Sequence, residues 1–179
     1  VLMVSYLIDK NGKIKKFKKN PILTLFEGKQ ENTGEVSKLK LLNINENENL
    51  IYITSVAYSP DGKKLYITTN YINRKPKPKG NYKASNFHIE VAEYMDGVGW
   101  GNFKVLSFCK PNYSYAHPNI SPDGKTLYFT ANIRGGKETT RGSSDIFKVD
   151  ILENNTYSKP KNLGIKVNSY SKEMFPFMS

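Results

Sequence analysis

The chain has 179 residues, 38% of them hydrophobic, enough for the core of one ordinary domain and short of two. The single Cys109 excludes an internal disulfide and any Cys-based zinc site, and no apolar run is long enough to cross a bilayer as a helix. The formal charge of +11 favours contact with polyanions, while twelve Tyr and nine Phe set among Val, Ile and Thr suit half-buried strands, so the expected class is all-β.

The first element is VLMVSYLIDKNG at 1–12, which lacks a basic leader and a small-residue cleavage site and reads as a strand ending in a turn. Its Asp9-x-Asn11-Gly12 fits a hairpin better than a calcium loop, because lysines follow and no glutamate stands at the twelfth position. Lys13 to Lys19 is expected as the next strand. Lys10, Lys13, Lys15, Lys16, Lys18 and Lys19 form one basic cluster, and Arg74, Lys75, Lys77, Lys79 and Lys83 a second. Lysines at strand edges and loop tips also prevent stray sheet pairing. Neither cluster carries a recognition helix, zinc spacing or an RRM-type aromatic motif, which argues against nucleic acid and leaves general polyanion contact. Segments 27–50 and 72–86 read as loops, the first rich in Asn and Glu, with a short uncapped helix within 34–43 as an option.

The strongest signal follows. SPDGKKLYITTN at 59–70 and SPDGKTLYFTAN at 121–132 are identical at nine of twelve positions, 62 residues apart. Pro60-Asp61-Gly62 and Pro122-Asp123-Gly124 supply a fixed φ, a side chain that closes its own turn, and a residue tolerant of positive φ. Each turn joins a short strand, Ser55 to Ser59 or Asn119 to Ser121, to an alternating one, Lys64 to Thr69 or Thr126 to Ala131. FHIEVAEYMDG at 87–97 then matches SDIFKVDILEN at 144–154, and the run from Trp100 to Leu106 matches Tyr157 to Leu163. Each unit therefore reads as four antiparallel strands, the pattern of a β-propeller blade, with a β-sandwich as the alternative.

In this reading 1–179 is a single partial propeller domain: a half blade at 1–26, with 1–12 as third strand, then blades at 51–108 and 115–165. EMFPFMS at 173–179 would be the first strand of the next unit. Starting at Val1 and stopping inside a repeat, the chain is expected to be a piece of a longer protein, so a missing leader assigns no compartment.

Residues that could carry chemistry are sparse. His88 and His117 lack metal-ligand spacing, and Gly142-Ser143-Ser144 is not a nucleophile elbow. Glu90, Glu93, Asp145, Asp150 and Glu173 could supply a carboxylate pair from distant strands, but Asp145 recurs at a repeat-defined position where a carboxylate fixes a blade corner. Asn154-Asn155-Thr156 fits a glycosylation pattern at a strand turn. No catalytic set, cofactor or metal is expected. Tyr113, Tyr115, His117 and Arg134, near blade ends, combine aromatic area with polar tips and are the candidate partner contacts.

The hairpins, with Tyr115-Ala116-His117-Pro118, Gly135-Gly136, Ser144-Asp145-Ile146-Phe147, the run from Lys159 to Gly164 and Glu173-Met174-Phe175-Pro176-Phe177, resemble the WD-repeat-like, TolB-like propellers of Bacteroidetes OmpA-family envelope proteins. The resemblance covers about 50–179 and departs at KETTRGSS, 137–144, where relatives carry a glycine run. It implies a periplasmic, outer-membrane-associated module that binds a protein partner in the cell envelope, in some members within type IX secretion, beside helical repeats and an OmpA-like domain that lie outside this chain. The competing expectation is the propeller of a sugar- or peptide-processing hydrolase.

Overall fold

The computed structural model describes residues 1–45, 50, 52–72 and 77–178. Arg74 and Lys75 of the second basic cluster, and Ser179, lie outside them. Among the described residues the regular structure is β-sheet apart from one 3-10 turn at Glu153–Asn155, and no helix is long and apolar enough to cross a membrane.

The twin hairpins fold as their residues dictate. Strands β6 (Ser55–Tyr58), β7 (Lys64–Asn70), β8 (Phe87–Met95) and β9 (Gly99–Val105) form one antiparallel sheet in chain order. Strands β10 (Tyr115–Ile120), β11 (Thr126–Ala131), β12 (Asp145–Asp150) and β13 (Lys161–Asn162) form the second. In the first turn the Ser59 hydroxyl donates to Asp61 Oδ1 at 2.5 Å, the Lys63 N–H donates to the same oxygen, and Gly62 takes φ +69°. Ser121, Asp123, Lys125 and Gly124 repeat this at 2.5 Å, 3.0 Å and φ +72°. The serine hydroxyl and turn amide hold both Asp61 and Asp123 below the usual carboxylate range. These aspartates work on turn geometry.

The N-terminal region differs from expectation. The expected turn at Asp9–Gly12 forms and folds the end of the first segment back on the next, with Ile8 bridged to Ile14 and the Lys15 N–H donating to the Leu7 carbonyl at 2.7 Å. Strand β1 (Leu2–Tyr6) itself does not pair with Lys13–Lys19. Within that stretch only Lys16–Phe17 (β2) is strand, and it pairs with Asn20–Pro21 (β3) in a small ribbon. Instead β1 pairs with β4 (Leu23–Gln30), and β4 with β5 (Val36–Leu41), so the segment read as a loop with an optional helix supplies β5 and the second half of β4. No strand is expected at β4 either, although Leu23 and Leu25 alternate toward the core, and β5 is mostly exposed and has no apolar period to announce it. Its pairing with β4 makes it a strand. At the other end, 173–178 belongs to no ladder strand, although the Glu173 N–H donates to the Ser144 carbonyl at 3.0 Å.

Two cores separate three sheets. Leu25, Ile53, Leu65, Ile67, Ala92 and Phe103 fill the space between the N-terminal sheet and the β6–β9 sheet. Tyr66, Ile89, Leu127, Phe129, Phe147 and Val149 fill the space between β6–β9 and β10–β13. Leu65 and Ile67 point one way and Tyr66 the other, so β7 is buried on both faces. The leading strands lie side by side, β1 against β6 and β6 against β10.

Candidate binding pocket

The pocket arises where the leading strands meet. Ser55 and His117 occupy equivalent repeat positions, as do Thr68 and Thr130. The Ser55 hydroxyl donates to Thr68 Oγ1 at 2.7 Å, and His117 Nδ1 lies 3.3 Å from Thr130 Oγ1. The backbone N–H of His117 also donates to Thr68 Oγ1 at 3.0 Å, so one threonine hydroxyl ties two sheets together. His117 adopts φ +55° although a proline follows it, a combination that L-residues avoid and that surrounding contacts must impose. Phe175, which likewise precedes a proline, has φ +54°, and its ring lies tilted by 31° over the imidazole with centroids 3.8 Å apart.

Thr54, Ser114, His117, Asn132, Ser144 and Lys172 are among the groups lining the resulting cavity of about 400 Å³. Burial first, and the Lys172 ammonium second, push the His117 pKa below its ordinary value. A neutral imidazole, an ammonium and several hydroxyls can together hold a carbonyl or carboxylate of an incoming chain. A depressed histidine pKa means the unfolded chain binds more protons than the folded one between the folded pKa and about 6.5. The stability His117 confers is thus complete above pH 6.5 and lost as pH falls through the folded pKa. His117→Asn, which tolerates positive φ, should remove this component. The difference in melting temperature between pH 7.5 and pH 5.5, compared with that of the parent, checks it, and an unchanged difference would refute it.

The other candidate contacts lie elsewhere. Tyr115 is 1% exposed, packed in the second core, and its burial raises the phenol pKa to about 12, so it offers a partner no surface. Tyr113 donates its hydroxyl to the Arg134 carbonyl at 2.5 Å, and the Arg134 guanidinium donates to the Thr140 and Gly142 carbonyls at 2.9 Å each. This pair shapes the 134–142 loop beside the pocket. Lys172 was not singled out in the sequence, and neither Ser143 nor Phe175 was read as a pocket group, because the chain's path from Asn168 to Phe175 brings Lys172 and Phe175 to this place and no local motif does.

The carboxylates are dispersed into different roles. Asp145 is fully buried and accepts from the Arg141 N–H at 2.9 Å, the Gly142 N–H at 3.2 Å and Asn162 Nδ2 at 2.8 Å. Glu90 is fully buried with His88, whose Nε2 lies 2.6 Å from Glu90 Oε1. Glu93 is exposed, Asp150 lies 3.8 Å from Lys148, and Glu173 accepts from the Ser169 hydroxyl at 2.5 Å. Among the described residues no group of three or more His, Cys, Asp or Glu converges as metal ligands.

No protein-family model matches the sequence, and no curated protein matches it significantly. Among solved structures the chain is similar to hydrazine synthase of Kuenenia stuttgartiensis, with 16% identity and a TM-score of 0.41 over 95% of this chain and 48% of that one. The chain thus spans about half the length of that protein.

Proposed function

We propose that this chain is part of a β-propeller that binds a protein partner and performs no chemistry of its own, within a periplasmic, outer-membrane-associated protein of the OmpA type. The propeller reading is supported by the 62-residue hairpin repeat, by a middle sheet buried on both faces, and by leading strands lying side by side. Packing at the turns agrees with it, since Gly124 of one hairpin lies against Pro60 of the other. The envelope setting rests on the sequence resemblance.

The observation that carries the binding role is the cavity around His117 and Lys172, where His117 keeps a left-handed backbone within the leading strand β10. Rigid strands hold its floor while the 134–144 loop forms part of its wall, the usual division between scaffold and contact surface. The hydrolytic reading has less support, because the shortest carboxylate–imidazole pair, His88 with Glu90, is sealed in the interior away from any substrate. Affinity capture from envelope extract tests the proposal. The parent chain should retain an envelope protein that Lys172→Glu, with unchanged circular dichroism, releases. Equal retention by both, or retention by neither, would overturn it.

A further inference from the structure

At the opposite end of the strands, beside the first hairpin turn, a cleft of about 630 Å³ opens between β4 and the β6–β9 sheet. That volume is within the roughly 300–1,000 Å³ usual for small-molecule sites. Three aromatic rings meet there. Tyr58 lies 5.4 Å from Trp100 with ring planes 33° apart, and Tyr94 lies 5.5 Å from Trp100 at 71°. Trp100 is the buried base, while Tyr58 and Tyr94 are 37% and 52% exposed.

The repeat supplies an internal control on what the fold itself requires. The positions equivalent to Tyr58, Tyr94 and Trp100 in the second sheet hold Ile120, Ile151 and Tyr157, all packed on the core. Aliphatic side chains therefore satisfy the same architecture at the two tyrosine positions. The first sheet instead presents two partly exposed aromatic faces to a cleft, an arrangement that packing does not demand.

Charge narrows the ligand. Glu27, Asp61 and Glu93 line the cleft together with Lys63 and Lys64, and Lys40 pairs with Glu27 at 3.1 Å. Three lining carboxylates are offset by two lining ammoniums and by Lys40 on Glu27, so the site favours neither a cation nor an anion, yet it offers many donors and acceptors around flat apolar rings. We propose that this cleft binds a neutral oligosaccharide, with C–H faces of its pyranose rings laid on Tyr58 and Tyr94 and its hydroxyls donating to carboxylates and accepting from ammoniums. This site is separate from the His117 cavity, so its failure would leave the partner-binding reading untouched.

Trp100 is the single tryptophan, which makes its fluorescence a direct reporter. Titration with cellotriose and with tri-N-acetylchitotriose should give a saturable emission change with at least one of them, and choline and inorganic phosphate should give none. Tyr94→Ile, which copies the second sheet, should fold normally by circular dichroism and weaken binding about five- to tenfold. Tyr58→Ile/Tyr94→Ile should abolish it. Silence with both trisaccharides, an equal response to choline or phosphate, or undiminished binding by a folded Tyr94→Ile variant would each overturn the proposal.

Discussion

Asp145→Ala is expected to lower stability by roughly 3–5 kcal/mol, a large share of the 5–15 kcal/mol typical of a domain. The carboxylate is fully buried and receives three N–H groups, from Arg141, Gly142 and the Asn162 side chain. Removing it takes the shared acceptor away from three part-buried donors at once. The damage should spread to the pocket, because Arg141 and Gly142 belong to the loop that the Arg134 guanidinium also anchors through Thr140 and Gly142. Thermal unfolding should show a fall of about 10 °C for a chain of this size. Asp145→Asn keeps acceptor capacity on one atom and should fall between the two. A melting temperature within a degree or two of the parent for Asp145→Ala would show that the corner is held by other contacts.

Glu90→Ala should cost a comparable amount, about 3–5 kcal/mol, by breaking a buried polar pair from one side. His88 and Glu90 both have zero exposure, and the Tyr71 ring covers the imidazole at 4.0 Å between centroids. The second sheet places Asp145 and Phe147 at the equivalent positions, so the repeat does not need this pair to form the strand. The double variant His88→Leu/Glu90→Leu should therefore recover much of the loss, since replacing both partners of a buried pair with apolar groups is often close to neutral. Urea unfolding of the parent, His88→Leu, Glu90→Leu and the double variant gives the coupling directly. Strict additivity of the two single changes would show that the 2.6 Å contact contributes nothing of its own.

His88 and Asp145 also show where the repeat was legible and where it misled. Sequence alignment put both at the entry to the third strand, and the register agrees, with Thr69 opposite His88 and Ala131 opposite Asp145. The corner role expected of Asp145 follows from the three N–H donors it accepts from. His88 solves the same position through a side-chain partner two residues along its own strand, which alternation alone could not distinguish from simple packing. Tyr115 was placed at a blade end by its polar tip, but its position in the strand turns the ring into the second core. Direction within a strand decides between surface and interior, and a one-residue change of register reverses it.

The local chemistry of the chain determined the twin hairpins, the strands from Lys64 to Asn70 and from Thr126 to Ala131, and the buried corner at Asp145. Each depends mainly on neighbours a few residues away: a proline that sets φ, a serine and aspartate that close a turn, an apolar alternation that chooses a face, and at Asp145 the N–H groups of Arg141 and Gly142, joined by the more distant Asn162. Only tertiary structure decided that β1 would pair with β4 across an intervening ribbon, that the exposed Val36–Leu41 would be a strand, and that His117, Lys172 and Phe175 would meet. Those outcomes depend on sheet edges and packing partners brought together over long separations, where the free energy of pairing and burial outweighs the weak preference of the local sequence. The aromatic cleft belongs to both: its departure from Ile120 and Ile151 is written in the repeat, but three rings became one surface only when the strands aligned them.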